Sequence, residues 1–211
     1  MNKLEDIDFY LVTDSNLSKN GIFSDVENAL KAGCKIVQYR EKKKDKKTMI
    51  NEARKIKQIC DNKALFLIDD RADVALAVNA DGIHIGQDDI PYESARNLLG
   101  ENKIIGLTVH NVDEAIEAEK LGVNYVGIAP IFETDTKDDI KTPCGIEMIK
   151  RIRNQVKVPI VAVGGITKNN VKEVIDSGAD SIVSIKPVIS SDDVYSEVFD
   201  FINIIREVKV K

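Results

Sequence analysis

Eight short runs rich in Val and Ile recur along the 211 residues, and segments with helical spacing separate them. Most of the runs are apolar without interruption, which is typical of parallel strands that are buried on both faces. The alternation therefore predicts an α/β fold built on a parallel, eight-stranded sheet. The predicted strands cover residues 9–13, 35–39, 64–68, 82–85, 103–107, 125–129, 159–163 and 181–185.

Glycines lie at the ends of several predicted helices in this pattern. Gly33, Gly122 and Gly178 each follow a stretch with a 3.6-residue period, where a helix commonly ends on glycine. Eight units of about 26 residues suit a compact (β/α)8 barrel. A doubly wound open sheet is the alternative, but no GxGxxG motif follows the first strand. No Pro-, Gly- or Ser-rich linker divides the chain, so we expect residues 1–211 to form one single-domain (β/α)8 TIM barrel.

The amino-acid composition argues against nucleic acid and membranes as binding partners and indicates a cellular compartment. The formal net charge is −5 and there is no tryptophan, so neither a basic surface nor a stacking platform for nucleic acid is expected. No apolar run reaches the roughly 18 residues of a membrane span, and no signal-peptide pattern opens the chain. The three cysteines form no CxxC pair, which indicates a reducing, cytoplasmic setting.

In a (β/α)8 barrel the chemistry lies on the loops that follow the strands. Gln38, Arg40 and Lys42 alternate at the end of the second predicted strand, so their side chains should share one face. A buried arginine is costly without an anion, and guanidinium and ammonium groups suit phosphate oxygens. The pattern predicts a phosphate site, and the alternative is that Arg40 pairs with a structural carboxylate.

Asp70 and Asp89 follow the third and fourth predicted strands, whose ends should be neighbours. Two facing carboxylates repel each other unless a proton or a cation lies between them. A few carboxylate oxygens, completed by water and substrate phosphate, describe a Mg²⁺ site. The alternative is that Asp70 or Asp89 caps the N-terminus of a helix.

A second group of phosphate-binding side chains is expected after strands 6, 7 and 8. Thr134, Thr136 and Lys137 lie in the long loop 132–145, and loops of that length often bind ligands. Gly164-Gly165 permits a close approach of the backbone to an anion before a following helix, and Lys186 follows strand 8. Two phosphate sites, one of them with Mg²⁺, predict group transfer between two phosphorylated small molecules with diphosphate leaving.

The two histidines differ in their expected roles. His84 lies within a strand and is more often a satisfied core residue, whereas His110 follows strand 5 at the mouth. His110 is an acid/base group or a residue that holds its loop.

Several phrases in the chain resemble the thiamine-phosphate synthase family over nearly the whole length. The phrases are LVTD (11–14), QYREK (38–42), the segment 69–89, GLTVHN (106–111), the loop 132–139, PIVAVGGI (159–166) and SIVSI (181–185). The resemblance implies a TIM barrel that joins 4-amino-5-hydroxymethyl-2-methylpyrimidine diphosphate to a thiazole phosphate. In the implied mechanism diphosphate leaves first, and the thiazole nitrogen then captures the pyrimidine cation. A homodimer is also implied.

The resemblance further implies a role for each matching residue. Asp70 and Asp89 would hold Mg²⁺. The residues implied to stabilise the leaving diphosphate, and hence catalytic, are Arg40, Lys42, Thr108 and Lys137. The residues implied to bind substrates are Gln38, Arg40, Lys42, Asp69, Thr108, Thr134, Thr136, Lys137, Gly165, Ile185 and Lys186.

Three of these positions depart from the family pattern. Asp69 replaces an asparagine, Thr108 replaces a serine, and Lys186-Pro187 replaces small residues. A related thiazole tautomerase, which would use His110 and no Mg²⁺, is one alternative. A catalytically silent barrel that binds a phosphorylated ligand is another, suggested by Asp69 and Lys186. The presence of Arg40, Lys42, Asp70, Asp89 and Thr136 together favours the synthase.

Overall fold

Eight parallel strands form one sheet, and each strand pairs with the next strand along the chain. A parallel bridge between Phe9 and Ile182 joins the first strand to the last, so the sheet closes into a barrel. This computed structural model describes Leu4, residues 7–134 and residues 142–210. The predicted (β/α)8 architecture is confirmed. The strands are β1 Tyr10–Val12, β2 Ile36–Tyr39, β3 Leu65–Asp69, β4 Gly82–Ile85, β5 Ile104–Val109, β6 Tyr125–Ile128, β7 Ile160–Val163 and β8 Ser181–Val183.

Helices connect the strands, and two helices follow β8. Side-chain caps start several of them: Asp45, Asn111 and Asp193 each accept a hydrogen bond from a backbone N–H three residues further on. In the described residues the helices are α1 Ile22–Lys31, α2 Lys46–Cys60, α3 Ala72–Val78, α4 Tyr92–Leu99, α5 Val112–Leu121, α6 Gly145–Arg153, α7 Val171–Asp176, α8 Lys186–Ile189 and α9 Val194–Lys209. None of them is long and apolar enough to cross a membrane.

The buried apolar side chains form two layers. The larger layer lies between the outer face of the sheet and the helices, and includes Val37, Phe66 and Phe201. The smaller layer fills the barrel interior with Tyr10, Ile36, Leu67, Tyr125 and other strand residues. Successive strand residues alternate between these layers, so every second strand position points into the barrel.

Two strand glycines make room for large side chains inside the barrel. A Cβ at Gly106 would lie 2.1 Å from Cζ of Tyr125, and a Cβ at Gly127 would lie 3.0 Å from Cε1 of His84. These contacts explain glycine inside two buried strands, where it normally weakens packing. The space they leave brings the Tyr125 and His84 rings together, stacked with their centroids 5.4 Å apart.

Candidate active site

Arg40 lies directly after β2 and is held by a buried acid. Its Nη1 donates to Oδ2 of Asp14 at 2.7 Å, and its backbone N–H donates to Oγ1 of Thr13 at 3.1 Å. The Nε of Arg40 lies 3.8 Å from Oδ2 of Asp69, and this buried nitrogen has no hydrogen-bond partner among the described residues. The pairing with a structural carboxylate, expected as the alternative, is therefore present. It leaves further guanidinium donors, including the Nε–H, for a ligand.

Lys42 brings together the ends of β2 and β3. Its Nζ lies 2.9 Å from Oδ2 of Asp69 and forms a closer ion pair with Oδ2 of Asp70. The lysine side chain is about half exposed, at 47%, whereas those of Asp69 and Asp70 are 10% and 20% exposed. Two mostly buried carboxylates thus converge on one cation at the mouth.

The backbone of Asp70 is positioned by the neighbouring strand. Its φ is +56°, in the left-handed region, and its N–H donates to the carbonyl of His84 at 2.9 Å. A non-glycine residue in this conformation is uncommon and often marks a functional position. The contact joins the loop after β3 to the end of β4, as predicted for neighbouring strand ends.

Asp70 and Asp89 have separate partners. Oδ2 of Asp89 accepts from the backbone N–H of Gly86 at 2.7 Å, within its own loop after β4. Neither carboxylate caps a helix, because α3 and α4 begin after Arg71 and Pro91, without a side-chain cap. Helix capping is therefore not what either carboxylate does.

These acids fit Mg²⁺ better than a metal that needs a full protein cage. Within residues 7–134 and 142–210, no three or more His, Cys, Asp or Glu side chains form a metal cluster. Mg²⁺ needs only one or two carboxylates, because water and substrate phosphate complete its coordination. Asp69 and Asp70 already share one cation, the Lys42 ammonium, so the chemistry of these side chains fits a bound cation.

A continuous chain of hydrogen bonds crosses the barrel interior from β2 to β5. Nε2 of Gln38 donates to Oη of Tyr10 at 2.9 Å, and Oη of Tyr10 lies 2.9 Å from Oη of Tyr125. Oη of Tyr125 lies 2.9 Å from Nδ1 of His84, whose Nε2 lies 2.8 Å from Oγ1 of Thr108. Gln38 and Thr108, predicted as separate ligands, are thus the two ends of one polar chain.

Burial determines the protonation of the two phenols in this chain. Desolvation raises the pKa of Tyr10 and of Tyr125 well above the ordinary tyrosine value. Both tyrosines therefore stay protonated at neutral pH, and each can donate one hydrogen bond and accept another. His84 is half-buried and not a fully buried core residue, but both of its ring nitrogens have hydrogen-bond partners, and it links the tyrosines to the mouth.

The loops after β7 and β8 meet at the same end of the barrel. Oγ of Ser184 donates to the carbonyl of Ile166 at 2.7 Å, which joins the two loops. Gly165 has φ +64°, and a Cβ there would lie 2.5 Å from the Glu133 carbonyl oxygen. Ile185 and Lys186 are, respectively, the N-cap and first residue of α8. Gly165, Ile185 and Lys186 therefore lie on adjoining segments.

One detail of the prediction for this region is wrong. No helix starts directly after Gly164-Gly165, because α7 begins only at Val171, with Asn170 as its N-cap. The Asn170 side chain organises the intervening turn: Nδ2 donates to the Gly165 carbonyl at 3.0 Å, and Oδ1 accepts from the Thr167 N–H at 2.8 Å. The glycines instead allow close packing against residues 130–133.

The long loop after β6 is described only at its two ends. Thr134 is half-buried, and Cys144 packs back with its backbone N–H donating to the Pro130 carbonyl at 2.9 Å. Thr136 and Lys137 lie outside the described residues, so their predicted roles stay predictions.

His110 belongs to the start of α5. Its Nδ1 lies 3.0 Å from Oε2 of Glu114, and its backbone N–H donates to the same oxygen at 2.8 Å. Glu114 and Asn111 complete the helix cap, with the Glu114 N–H donating to Oδ1 of Asn111 at 2.9 Å. This geometry matches the expectation that His110 holds its loop.

Three residues of the site were not predicted from the sequence. Asp14, which binds Arg40, was only part of the LVTD phrase. Tyr10 and Tyr125 were counted as members of apolar strands. A signal for Tyr125 was present, since Gly106 interrupts a buried strand and marks the close approach of a side chain, whereas Gly127 marks the approach of His84.

Comparison with known proteins gives consistent matches. A sequence model of the family described as "Thiamine monophosphate synthase" matches residues 9–188. A thiamine-phosphate synthase of Methanosarcina mazei is 61% identical over 206 residues, which make up 98% of this chain and 86% of that protein. The Methanosarcina barkeri enzyme of the same name is 55% identical over 206 residues, covering 98% and 94%. The solved structure of thiamine phosphate pyrophosphorylase from Pyrococcus furiosus has a TM-score of 0.87 at 38% identity and covers 98% of both chains.

Proposed function

The chain belongs to the thiamine monophosphate synthase family, and we propose that its barrel joins 4-amino-5-hydroxymethyl-2-methylpyrimidine diphosphate to a thiazole phosphate. The products would be thiamine phosphate and diphosphate. The observation that carries this proposal is the convergence of Arg40 and Lys42 with Asp69 and Asp70 at the mouth. It supplies donors for an anion beside carboxylates for a cation.

The diphosphate would lie over the ends of β2 and β3. The Nε–H of Arg40 is buried and lacks a partner among the described residues, so it is ready to donate to a diphosphate oxygen. Lys42 is exposed enough to turn from Asp70 towards the same group. Thr108 would donate its hydroxyl, and the predicted contribution of Lys137 would come from the loop after β6.

Asp70 and Asp89 would hold Mg²⁺, with Asp69 beside them. The metal, when bound, supplies positive charge that stabilises the leaving diphosphate. The rest of the work falls to the chain: Arg40, which Asp14 already holds in place, and Lys42, once it has turned from Asp70, would spread the negative charge that grows on the diphosphate. No side chain has to act as a general base in a reaction where the leaving group departs first.

The second substrate would lie over the ends of β7 and β8. Barrel proteins often bind phosphate at the loops after these strands together with a short extra helix, and Gly165, Ile185 and α8 occupy that position. Thr134 and Thr136 would reach the same phosphate from the loop after β6. Lys186, exposed at the start of α8, would add a cation to this site.

The family names also bear on the alternatives. The similar proteins are named for synthesis of thiamine phosphate, which favours that reaction over a tautomerase using His110.

We further propose that residues 1–211 act as one barrel unit in the cytoplasm, which the three free cysteines support. The homodimer remains a prediction.

The proposal is tested by mixing the purified protein with both substrates and Mg²⁺ and oxidising the product to fluorescent thiochrome. We expect a signal that EDTA removes and that excess Mg²⁺ restores. Asp70→Ala and Asp89→Ala should each lower kcat by at least about 100-fold if the metal stabilises the leaving group. Asp88→Ala, which removes an exposed carboxylate beside Asp89, is the matched control and should keep full activity.

Two results would contradict the assignment. A folded wild-type protein that forms no thiamine phosphate would reject the proposed reaction. Full activity in Asp70→Ala, with unfolding temperatures unchanged, would reject the metal site while leaving the reaction intact.

A further inference from the structure

The five residues Gln38, Tyr10, Tyr125, His84 and Thr108 form what we call the interior relay. Its four links measure between 2.8 and 2.9 Å. Three of its members, Tyr10, Tyr125 and His84, have no role in the proposed reaction. Gln38, at one end, is among the residues that the family resemblance implies bind the pyrimidine diphosphate, and the proposed function places Thr108, at the other end, on the diphosphate. The following inference rests on that function.

With His84 as a neutral imidazole, hydrogen-bond chemistry gives the relay two directions. A hydroxyl group carries one proton, and a neutral imidazole donates from one nitrogen while it accepts at the other. Once one link has a direction, every other link must follow it. Whether Gln38 offers a ligand a donor or an acceptor is therefore tied to whether Thr108 offers one or the other.

In the first direction, Nε2 of Gln38 donates to Tyr10, Tyr10 donates to Tyr125, and Tyr125 donates to Nδ1 of His84. His84 then donates from Nε2 to Oγ1 of Thr108. Thr108 is left with its own O–H for a ligand, and Gln38 presents its Oε1 as an acceptor. Among the described residues, Oε1 of Gln38 receives no hydrogen bond, so this acceptor is available.

In the second direction every donor becomes an acceptor. Thr108 donates to His84, and Tyr10 donates to Oε1 of Gln38, whose amide must flip. Gln38 then presents an N–H donor where Oε1 lay, with the second lone pair of Oε1 beside it, and Thr108 presents only lone pairs. A diphosphate oxygen accepts hydrogen bonds and cannot donate to Thr108 when it is ionised. Diphosphate at Thr108 therefore requires the first direction.

We propose that the interior relay couples recognition of the diphosphate at Thr108 to recognition of the pyrimidine 4-amino group at Gln38. Tyr10, Tyr125 and His84 act as positioning residues in this coupling. A 4-amino group donates to Oε1 of Gln38, and the adjacent ring nitrogen accepts the second Nε2 proton. A 4-oxo pyrimidine has the opposite pattern and would need the second direction. The relay thus makes the enzyme select the amino pyrimidine most strongly when diphosphate is attached.

The packing of the relay favours a fixed geometry over independent adjustment. Tyr10 and Tyr125 are 2% and 1% exposed, and the Gly106 and Gly127 backbones lie against the rings of Tyr125 and His84. The Tyr125 ring is fully buried and the two rings are stacked, so their contact is part of the packed barrel interior. Both tyrosines also keep their protons, because burial raises the pKa of each phenol.

The coupling is measured by binding four ligands calorimetrically at saturating Mg²⁺. The ligands are 4-amino-5-hydroxymethyl-2-methylpyrimidine, its diphosphate, and the 4-oxo analogues of both. For the wild type we expect the preference for amino over oxo to be about tenfold larger in the diphosphates than in the alcohols, the effect of one buried hydrogen bond. Tyr125→Phe should make the two preferences equal.

Matched variants separate the relay from general effects on folding. Tyr39→Phe removes a hydroxyl from the outer face of β2, where it donates to Glu52 at 2.7 Å, and should leave the coupling unchanged. Tyr10→Phe breaks the relay at a second point and should abolish the coupling as Tyr125→Phe does. It serves as the decisive variant if Tyr125→Phe does not fold.

The relay is overturned if the wild type shows equal preferences in diphosphates and alcohols, or if either relay variant keeps the tenfold coupling. It is also overturned if Tyr39→Phe loses the coupling to the same extent. Failure of the proposed function looks different, because the wild type would then bind these ligands without forming thiamine phosphate in the thiochrome assay.

Discussion

Replacing Lys42 with methionine should change divalent-cation affinity in opposite directions in the free protein and in its diphosphate complex. In the free protein the Lys42 ammonium lies between Asp69 and Asp70, at 2.9 Å from Oδ2 of Asp69. A metal that binds Asp70 must displace this ammonium. With diphosphate present, Lys42 instead helps to hold the anion that completes the coordination of the metal.

The ion pairs set the size of the effect. An ion pair with one exposed partner contributes about 0.2–1 kcal/mol, which is a factor of roughly 1.4 to 5 in affinity. Lys42 makes two such pairs, and its partners are mostly buried, so the upper end applies. We therefore expect Lys42→Met to bind Mn²⁺ about fivefold or more tightly in the absence of substrate. Mn²⁺ affinity in the presence of diphosphate should fall by about tenfold, because a charge-assisted hydrogen bond to the anion is lost.

The assay is a Mn²⁺ titration followed by electron paramagnetic resonance, which reads free metal directly and does not depend on turnover. Lys43→Met is the matched control: it removes the same charge one residue further on, where the side chain has no ion pair with a described residue. The reasoning is refuted if Lys42→Met and Lys43→Met bind Mn²⁺ equally in the free protein.

Two further predictions concern Gly165 and Asp25. Gly165→Ala should lower the free energy of unfolding by at least about 2 kcal/mol and raise KM for the thiazole phosphate, because φ is +64° and the new Cβ would lie 2.5 Å from the Glu133 carbonyl oxygen. Gly100→Ala, with φ +83° and open space around it, should lose only the part due to strain, and equal losses in urea unfolding would contradict the contact. Burial raises the pKa of Asp25, whose Oδ1 has no partner among the described residues, so its neutral form is favoured in the fold. That stability is fully present below the unfolded pKa of about 3.9 and is lost as pH rises through the higher folded pKa, so Asp25→Asn should flatten the pH dependence of urea midpoints measured between pH 4 and 7. Parallel pH profiles would contradict this prediction.

The barrel was predictable because its signal is repeated eight times. Because each strand is buried on both faces, its sequence is a continuous apolar run. The observed strands begin and end within two residues of the predicted bounds. The ends of parallel strands meet at one edge, which is why Arg40, Lys42, Asp69 and Asp70 could be expected together. Their partners could not be predicted, because Asp14 lies 26 residues from Arg40 and the register of β1 against β2 decides which residues after the two strands meet.

The interior relay could not be predicted from the sequence, for a different reason. Tyrosine counts as apolar in a hydrophobic pattern, yet the hydroxyls of Tyr10 and Tyr125 are separated by 115 residues and meet at the barrel axis. Strand periodicity says that both side chains point inwards, but it does not give the level of each strand along the axis. Short helices are equally hard to see: α8 spans four residues, and nothing in the pattern separates it from a loop.

The balance of charge at the mouth links metal and diphosphate binding. Asp14, Asp69 and Asp70 supply three carboxylates against the two cations of Arg40 and Lys42, which leaves one net negative charge before Asp89 is counted. A diphosphate approaching alone would meet repulsion from these carboxylates at short range in a partly buried site. A divalent cation approaching alone would have to displace Lys42. When both enter together, the cation takes the place of the ammonium at Asp70 and releases Lys42 to the anion, so each ligand removes the obstacle to the other. Mutual dependence of metal and diphosphate binding therefore follows from the arrangement of Lys42 between Asp69 and Asp70.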